Sequence, residues 1–392
     1  MKTTIQLLGL FLSTVVLGSP AQHPQWRQSC QTNPRSCPPG TLIVSNSDPA
    51  ADYSTVQDAI AALPHDNSSQ VILIRAGAYH EQLNVTRPGP VTLLGQTSPA
   101  GLADPAQNQV TITWAQANHD STGKAVDNVF SSVLTVAPTL EASYTGSGPT
   151  GYPVPADTPF GSVNFRVYNI DFRNTWAEYS DGPAHALSFS RANGGFYYCG
   201  FYSYQDTKVY IGKLANAYFH HSIIAGQTDF IYGFGTAWIQ HCDLQLRGCG
   251  GGITAWKGTN TTVANAYGVY IVDSSVRAAN ASIAPAIEGQ CALGRPWNSL
   301  HRSIFAHCYE DASIRPQGYV DWVVDGVSRT TNETLMAEFR DRGPGWNASA
   351  RVAGGIGTVL DAQQWRRYDA PAKVFMTPDG RAGETWWIDW AA

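Results

Sequence analysis

The chain has 392 residues, 14% of them charged, and a formal net charge of −5. That length holds one large domain or two ordinary ones, and the mild acidity argues against a nucleic-acid partner or an acidic membrane surface. With 37 glycines and 18 tyrosines, the composition suits a long series of short strands and turns better than a helical bundle.

The N-terminus carries an apolar run, Ile5 to Leu17, behind Lys2 and ahead of the small residues Gly18 to Ala21. Thirteen residues are too few to span a bilayer, so residues 1–21 are predicted to be a cleaved signal peptide. The mature protein is then secreted and extracellular, with no membrane partner. Residues 22–40 read as an extended leader, in which Cys30 and Cys37 are placed for a local disulfide. A short strand is expected at Thr41 to Val44. Ser54 to Gln57 has the form of a capping box opening a helix to about Leu63, with Val56, Ala59, Ile60 and Leu63 on one face. Val71 to Ile74 and Val91 to Leu94 read as buried strands. From Pro99 to Gly161 the pattern weakens into long loops, with strands expected at Val110 to Trp114 and Ser131 to Val136.

Beyond Gly161 the sequence repeats. Aligning the small polar residues Asn169, Cys199, Ser222, Cys242, Ser274 and Cys308 gives steps of 30, 23, 20, 32 and 34 residues. Steps of that size fit the coils of a solenoid, the longer ones carrying loops. Stacked rungs about 4.8 Å apart put equivalent residues in ladders. A mixed α/β globule would not explain the recurrence, and a leucine-rich repeat lacks its leucines. The expected fold is all-β: a single-stranded right-handed parallel β-helix with a short N-terminal helical cap. Helical segments are expected at Glu333 to Phe339 and Asp361 to Tyr368, and a tail with Trp386, Trp387 and Trp390 is expected over loops. Residues 41–392 form one domain on this reading.

Six Asn-x-Ser/Thr acceptors, at Asn67, Asn84, Asn260, Asn280, Asn332 and Asn347, agree with secretion. Seven cysteines leave at least one outside any intrachain disulfide. Cys199, Cys242 and Cys308 fall in strand-like segments and read as buried thiols. None has zinc-ligand spacing, and no metal or organic cofactor is implied. A monomer is the default expectation.

Asp206 and Asp229 are 23 residues apart, the same step as Cys199 to Ser222. On a solenoid they occupy neighbouring rungs at one angular position. Facing carboxylates resist simultaneous ionisation, which yields an acid beside a nucleophile. An aspartate in a turn is more often structural, hydrogen-bonding its own backbone; it is the flanking residues that tip the balance.

Those residues are Tyr204 to Thr207 around Asp206, Gly226 to Gly233 around Asp229, Leu293-Gly-Arg-Pro-Trp297, and Gly77-Ala-Tyr-His-Glu81. In type and order they resemble the motifs of the pectin methylesterases, from about Leu42 to the C-terminus. The resemblance implies a secreted esterase acting on methyl-esterified polygalacturonan. Asp229 would attack the ester carbonyl, and Asp206 would protonate departing methanol and then activate water. Arg295 would orient and ionise Asp229, and Gln205 would donate to the oxyanion. Trp297 would line the sugar cleft, with Phe230 and Tyr232 as apolar walls. One departure stands out: where family members have Gln-Ala-Val-Ala-Leu, this chain has Pro183 to Leu187, so a second oxyanion donor is lost unless His185 or a backbone N–H replaces it. Lys208 is a further departure; an exposed lysine is usually just solvated, and its alternative role is contact with an unesterified galacturonate. His220, His221 and His241 read as structural, and Glu81 as structural or substrate-orienting.

Two other classes compete. A two-carboxylate glycoside hydrolase would use the same pair, although Gln205 and Arg295 favour acyl chemistry. A non-catalytic pectin-binding homologue would keep the cleft and lose the oxyanion site through Pro183. A lyase would need an acidic calcium cluster, which the sequence lacks.

Overall fold

Short strands paired in parallel, rung upon rung, account for the repeat. The computed structural model describes residues 25–119, 122–146, 155, 157–204, 209–258 and 267–392; the segment read as a signal peptide lies outside them. Three parallel sheets of eleven, eight and six strands are described. Successive strands of one turn go to successive sheets, and each strand pairs with its counterpart in the next turn: Asn193–Tyr197 with Asn216–His220, that with Thr236–Gln240, and that with Gly268–Val272. This is a parallel β-helix, with the right hand that parallel crossovers take.

The strands of the long sheet are apolar on both faces, as buried parallel strands are. Phe196 stacks on Phe219 inside the coil, ring centroids 4.8 Å apart. On the outer face Tyr168 stacks on Tyr197, also at 4.8 Å. The C-terminal tail covers that outer face: Trp387 is fully buried there, and Tyr168 donates to the Asp389 carboxylate at 2.8 Å. The tail therefore packs on a sheet rather than on loops. Its other tryptophans, Trp386 and Trp390, are exposed.

From Phe165–Tyr168 onward, six turns from the long sheet towards the eight-stranded one open on a left-handed residue: Asn169, Tyr198, His221, His241, Asp273 and His307 all have φ between 48° and 58°. His221 and His241 are ladder residues of this turn, their rings stacked 5.2 Å apart. The strand register pairs Tyr168 with Tyr197, which makes Asn169 the counterpart of Tyr198. The residue aligned with Cys199 is thus Ile170, and the alignment from Cys199 onward holds as read.

Three other elements differ from the sequence reading. The leader is not extended where it is described: Gln25–Thr32 is a helix followed by a 3₁₀ turn at Pro34–Ser36. Its buried Gln31 bonds Asn169 and the Gly95 carbonyl, tying the helix to the side of the coil. Leu335–Phe339 is a strand, because parallel pairing with Arg302–Ala306 overrides the helix propensity of Leu, Met, Ala and Glu. At Val56–Ala61 Thr55 caps the helix, and in addition the Glu81 carboxylate accepts from the backbone N–H of Val56 and Gln57 at 3.0 and 2.9 Å. Glu81 is a structural cap. The second late helix, Ala362–Trp365, forms with a complete capping box.

Cys30 and Cys37 form a disulfide, and so do Cys249 and Cys291. Cys199, Cys242 and Cys308 are buried free thiols. Burial pushes Cys199 and Cys242 up to about 12, so they carry no thiolate chemistry at physiological pH.

The C-terminal end of the coil is closed by charge. Arg351, from the helix Ala348–Gly354, is buried and donates to Glu338 and Glu310, both at 2.7 Å. Asp341 completes the group, one oxygen of each carboxylate lying within 4.8 Å of the others. Three carboxylates around one guanidinium leave an excess of negative charge in a dry interior. Burial, and then the charge of Glu338, raises Glu310 and Asp341 well above ordinary carboxylates. Groups raised in the folded state contribute stability that is complete below their unfolded values near 4 and is lost as pH rises through the folded values. Thermal denaturation is therefore expected to show Tm falling from pH 4 towards neutrality, with a flatter profile in Glu310→Gln. Arg351→Met is expected to cost about 3–5 kcal/mol in chemical denaturation. A change under 1 kcal/mol would show that the ion group does not hold the cap.

Candidate active site

The turn between Ile223–Thr228 and Ile231–Gly233 consists of Asp229 and Phe230, and its geometry separates them. Asp229 is left-handed, φ 44°, a conformation that costs a non-glycine residue about 1–2 kcal/mol. Its N–H bonds the Gly252 carbonyl at 2.7 Å, and its Oδ1 accepts from the Gly252 N–H at 2.9 Å. Phe230 turns into the coil, fully buried in the core. It is not a cleft wall, contrary to the sequence reading, because the tight turn aims adjacent side chains to opposite sides.

Leu293 to Trp297 runs beside the strand Thr254–Trp256 as the next rung, with backbone bonds Thr254 to Leu293, Arg295 to Thr254 and Trp297 to Trp256. That register points Arg295 at Asp229. Nε lies 3.0 and 3.1 Å from the two carboxylate oxygens, and Nη2 lies 2.5 Å from Oδ2. The fork geometry fixes the carboxylate plane as well as its charge. Burial raises the Asp229 pKa, and the hydrogen bonds and charge of Arg295, then the Gly252 N–H, oppose that rise. Gly251, at φ 63°, makes the pair possible: a Cβ there would sit 2.5 Å from both Arg295 Nε and Asp229 Oδ1.

Above this pair lies a cleft of about 320 Å³ lined by Asp229, Tyr232, Trp297, Trp322, Arg329 and Asn128, among others. Tyr232 and Trp297 both line the cleft and pack with ring centroids 4.9 Å apart. Beneath Trp297 sits the Lys257 ammonium, 3.2 Å from the ring centroid. Burial, with the charge of Lys213, lowers it to about 6. Trp322 and Arg329 arrive on a hairpin, Val323–Val324 with Val327–Ser328, turned by Asp325 and Gly326, both at positive φ. The Arg295 guanidinium carbon stands 3.8 Å from the Trp322 ring centroid and that of Arg329 4.4 Å. Pro183 also lines the cleft. His185 does not offer itself as a substitute donor: it is fully buried, with Nε2 3.0 Å from the Tyr232 hydroxyl and Nδ1 2.8 Å from Ser188.

Gln205, Asp206 and Lys208 lie outside the described residues. Of the sequence-predicted site, Asp229, Arg295, Tyr232 and Trp297 come together. Gly251, Gly252, Trp322, Arg329, Asn118 and Asn128 were not foreseen. The Gly250 to Gly252 run and the Asp325-Gly326 turn were visible signals; the two asparagines gave none, since their part depends on loops whose course no local pattern specifies.

A buried carboxylate gripped by arginine under aromatic walls, on the flank of a parallel β-helix, has the form of an enzyme active site. The family model described as Pectinesterase matches residues 156–376. "Probable pectinesterase A" of Aspergillus niger is 29% identical over 98% of each chain, and that of Aspergillus flavus 31% identical over 82% of this chain and 84% of its own. The crystal structure of the Aspergillus niger pectin methylesterase superposes with a TM-score of 0.68 at 27% identity, covering 91% of this chain and 98% of that one. The carrot enzyme gives 0.66 at 22% identity, covering 88% and 94%, a likeness of fold. The chain belongs to the pectinesterase family, whose members are carboxylic ester hydrolases.

With Arg295→Ala the charge that opposes burial is gone. The Asp229 carboxyl is expected to titrate higher still, followed by carboxyl-region NMR, and Gly251→Ala is expected to shift it in the same direction. An unchanged titration in both would contradict the pairing.

Proposed function

We propose that the protein removes methyl groups from pectin, with Asp229 as nucleophile and Asp206 as general acid and base. The observation that carries this reading is the two-pronged hold of Arg295 on Asp229 at the cleft floor, which keeps a buried carboxylate available for attack. A carboxylate oxygen of Asp229 bonds to the ester carbonyl carbon, the C–O bond to methoxide breaks, and the proton of Asp206 leaves with methanol. Asp206, now a base, takes a proton from water, whose oxygen attacks the substrate's acyl carbon and frees Asp229. Gln205 donates to the oxyanion in both steps.

Support for Asp206 and Gln205 comes from the strands on either side of them. Gly200–Tyr202 pairs with Ile223–Ala225, and Val209–Ile211 with Ile231–Gly233. The strands that flank residues 205–208 in the chain thus belong to the rung before that of Asp229. Trp297 and Tyr232 supply the sugar platform, and pectin is the partner. Residues 41–392 act as one unit, secreted after loss of residues 1–21. Asn67, Asn84, Asn280, Asn332 and Asn347 are exposed, which fits a glycoprotein; endoglycosidase treatment of protein secreted from a eukaryotic host is expected to lower its mass, and an unchanged mass would remove the glycan reading.

Methanol release from highly methylated pectin is expected from the purified protein and is expected to fall below about 10⁻³ of that rate in Asp229→Ala. A lyase would yield an unsaturated product, a glycosidase reducing ends, and a binding protein neither. Attack needs ionised Asp229, whose pKa is raised above 3.8, so activity is lost as pH falls. The acid limb of kcat/KM is expected to have its midpoint above 3.8; a midpoint below it would contradict the assignment.

A further inference from the structure

The reaction proposed above builds negative charge on the ester oxygen at the cleft floor, and few described lining groups can meet it. Pro183 has no N–H, and Gly146 and Ala255 have no side-chain donor. The Arg329 Nη1 donates to the Trp297 carbonyl at 3.0 Å, and its guanidinium packs on the Trp322 ring. Asn118 and Asn128 remain as neutral amide donors on the lining. An Asn118 Oδ1 lies where a Cβ on Gly182 would approach to 2.8 Å, so that amide is turned with its oxygen towards the loop at Gly182.

Asn128 is held at both ends. Its backbone opens the 3₁₀ turn Asn128–Ser131, capped by Asp127, whose carboxylate accepts from the N–H groups of Val129, Thr145 and Gly146. Its Nδ2 lies 3.0 Å from the Tyr232 hydroxyl, and that hydroxyl lies 3.0 Å from His185 Nε2. His185 is enclosed, and burial lowers its pKa to about 3, so the ring is neutral and carries one N–H. Nδ1 is 2.8 Å from the Ser188 oxygen and 3.2 Å from that of Ser132. With the N–H on Nδ1 facing Ser188, Nε2 accepts the Tyr232 proton. The hydroxyl then can only accept from Asn128, which selects the amide nitrogen rather than the amide oxygen for that contact. One N–H of Asn128 is spent on Tyr232, and among the described residues the other has no bond, which leaves it for a ligand.

We propose that Asn128 donates its second amide N–H to the ester carbonyl oxygen as it becomes an oxyanion, with Tyr232 and His185 as positioning residues that hold the amide for that purpose. The inference rests on the esterase reading. A donor fixed before reaction is worth more than a mobile one because no reorganisation is needed when charge develops. Since the ester oxygen is a weak acceptor before attack and a strong one after it, the loss belongs in kcat rather than KM.

The test is steady-state methanol release from methylated pectin by the full-length mature protein and its Asn128→Ala, Tyr232→Phe and Asn118→Ala variants, with thermal melts of each. Asn128→Ala is expected to lower kcat by about 10²- to 10³-fold with KM within threefold. Tyr232→Phe, which keeps the ring and loses the hydroxyl, is expected to lower kcat in the same direction by a smaller factor, again without a change in KM. Should Asn128→Ala fail to fold, Asn128→Ser and Tyr232→Phe carry the test. A kcat within threefold of the unmodified protein, a loss confined to KM, or a larger kcat loss in Asn118→Ala overturns the proposal. If the unmodified protein releases no methanol, the esterase reading and the donor fall together. If it does and Asn128→Ala matches it, only the donor falls.

Discussion

Everything at the site depends on holding an ionisable carboxyl in a place where water is scarce. Asp229 is 4% exposed, and an isolated carboxylate so buried would keep its proton. The Arg295 fork and the Gly252 N–H oppose that tendency and do so with direction, since they fix the plane of the carboxylate and hence the way its oxygens face the cleft. The arginine in turn needs a neighbour without a side chain, which is why glycine stands at 251. Stacking on Trp322 gives the guanidinium an apolar face without diverting its hydrogen bonds. One ion pair thus constrains a glycine run, a motif 66 residues farther along the chain, and a hairpin beyond it.

The coil makes such a long-range pair cheap to specify. Parallel rungs fix the lateral position of every turn by main-chain hydrogen bonds, so a residue one or two rungs away stands beside another whatever the loop lengths between them. The backbone bond from Arg295 to Thr254 and the one from Asp229 to Gly252 belong to consecutive rungs of the same face. The same logic serves stability at the ends. The helix Val56–Ala61, its Val56, Ala59 and Ile60 buried against the first strands, closes one end, and Arg351 closes the other with an ion group that has too many carboxylates for its one cation.

Much of this was legible in the sequence, for reasons that can be named. The repeat survives as the small residues Cys199, Ser222, Cys242, Ser274 and Cys308, each one place after the left-handed residue of its turn; the one-residue slip at Asn169 arose because there the left-handed residue itself is small and polar. Arg295, Asp229, Tyr232 and Trp297 were readable because their motifs are local and ordered. Phe230 was misplaced because sequence does not tell which way a tight turn throws adjacent side chains. The strand at Leu335–Phe339 was misread because tertiary pairing outweighs local propensity. Asn128 and the Tyr232–His185 contact join three separate rungs and loops, which a linear reading cannot bring together.

The central claim is that Asp229 bonds covalently to substrate. Acid-quenched turnover of methylated oligogalacturonide, followed by peptide mass mapping, tests it most directly. The account predicts a galacturonyl adduct on the peptide carrying Asp229, formed at early times and absent with unesterified oligogalacturonide. Methanol released in a burst with no adduct, or an adduct carried by another residue, would contradict it.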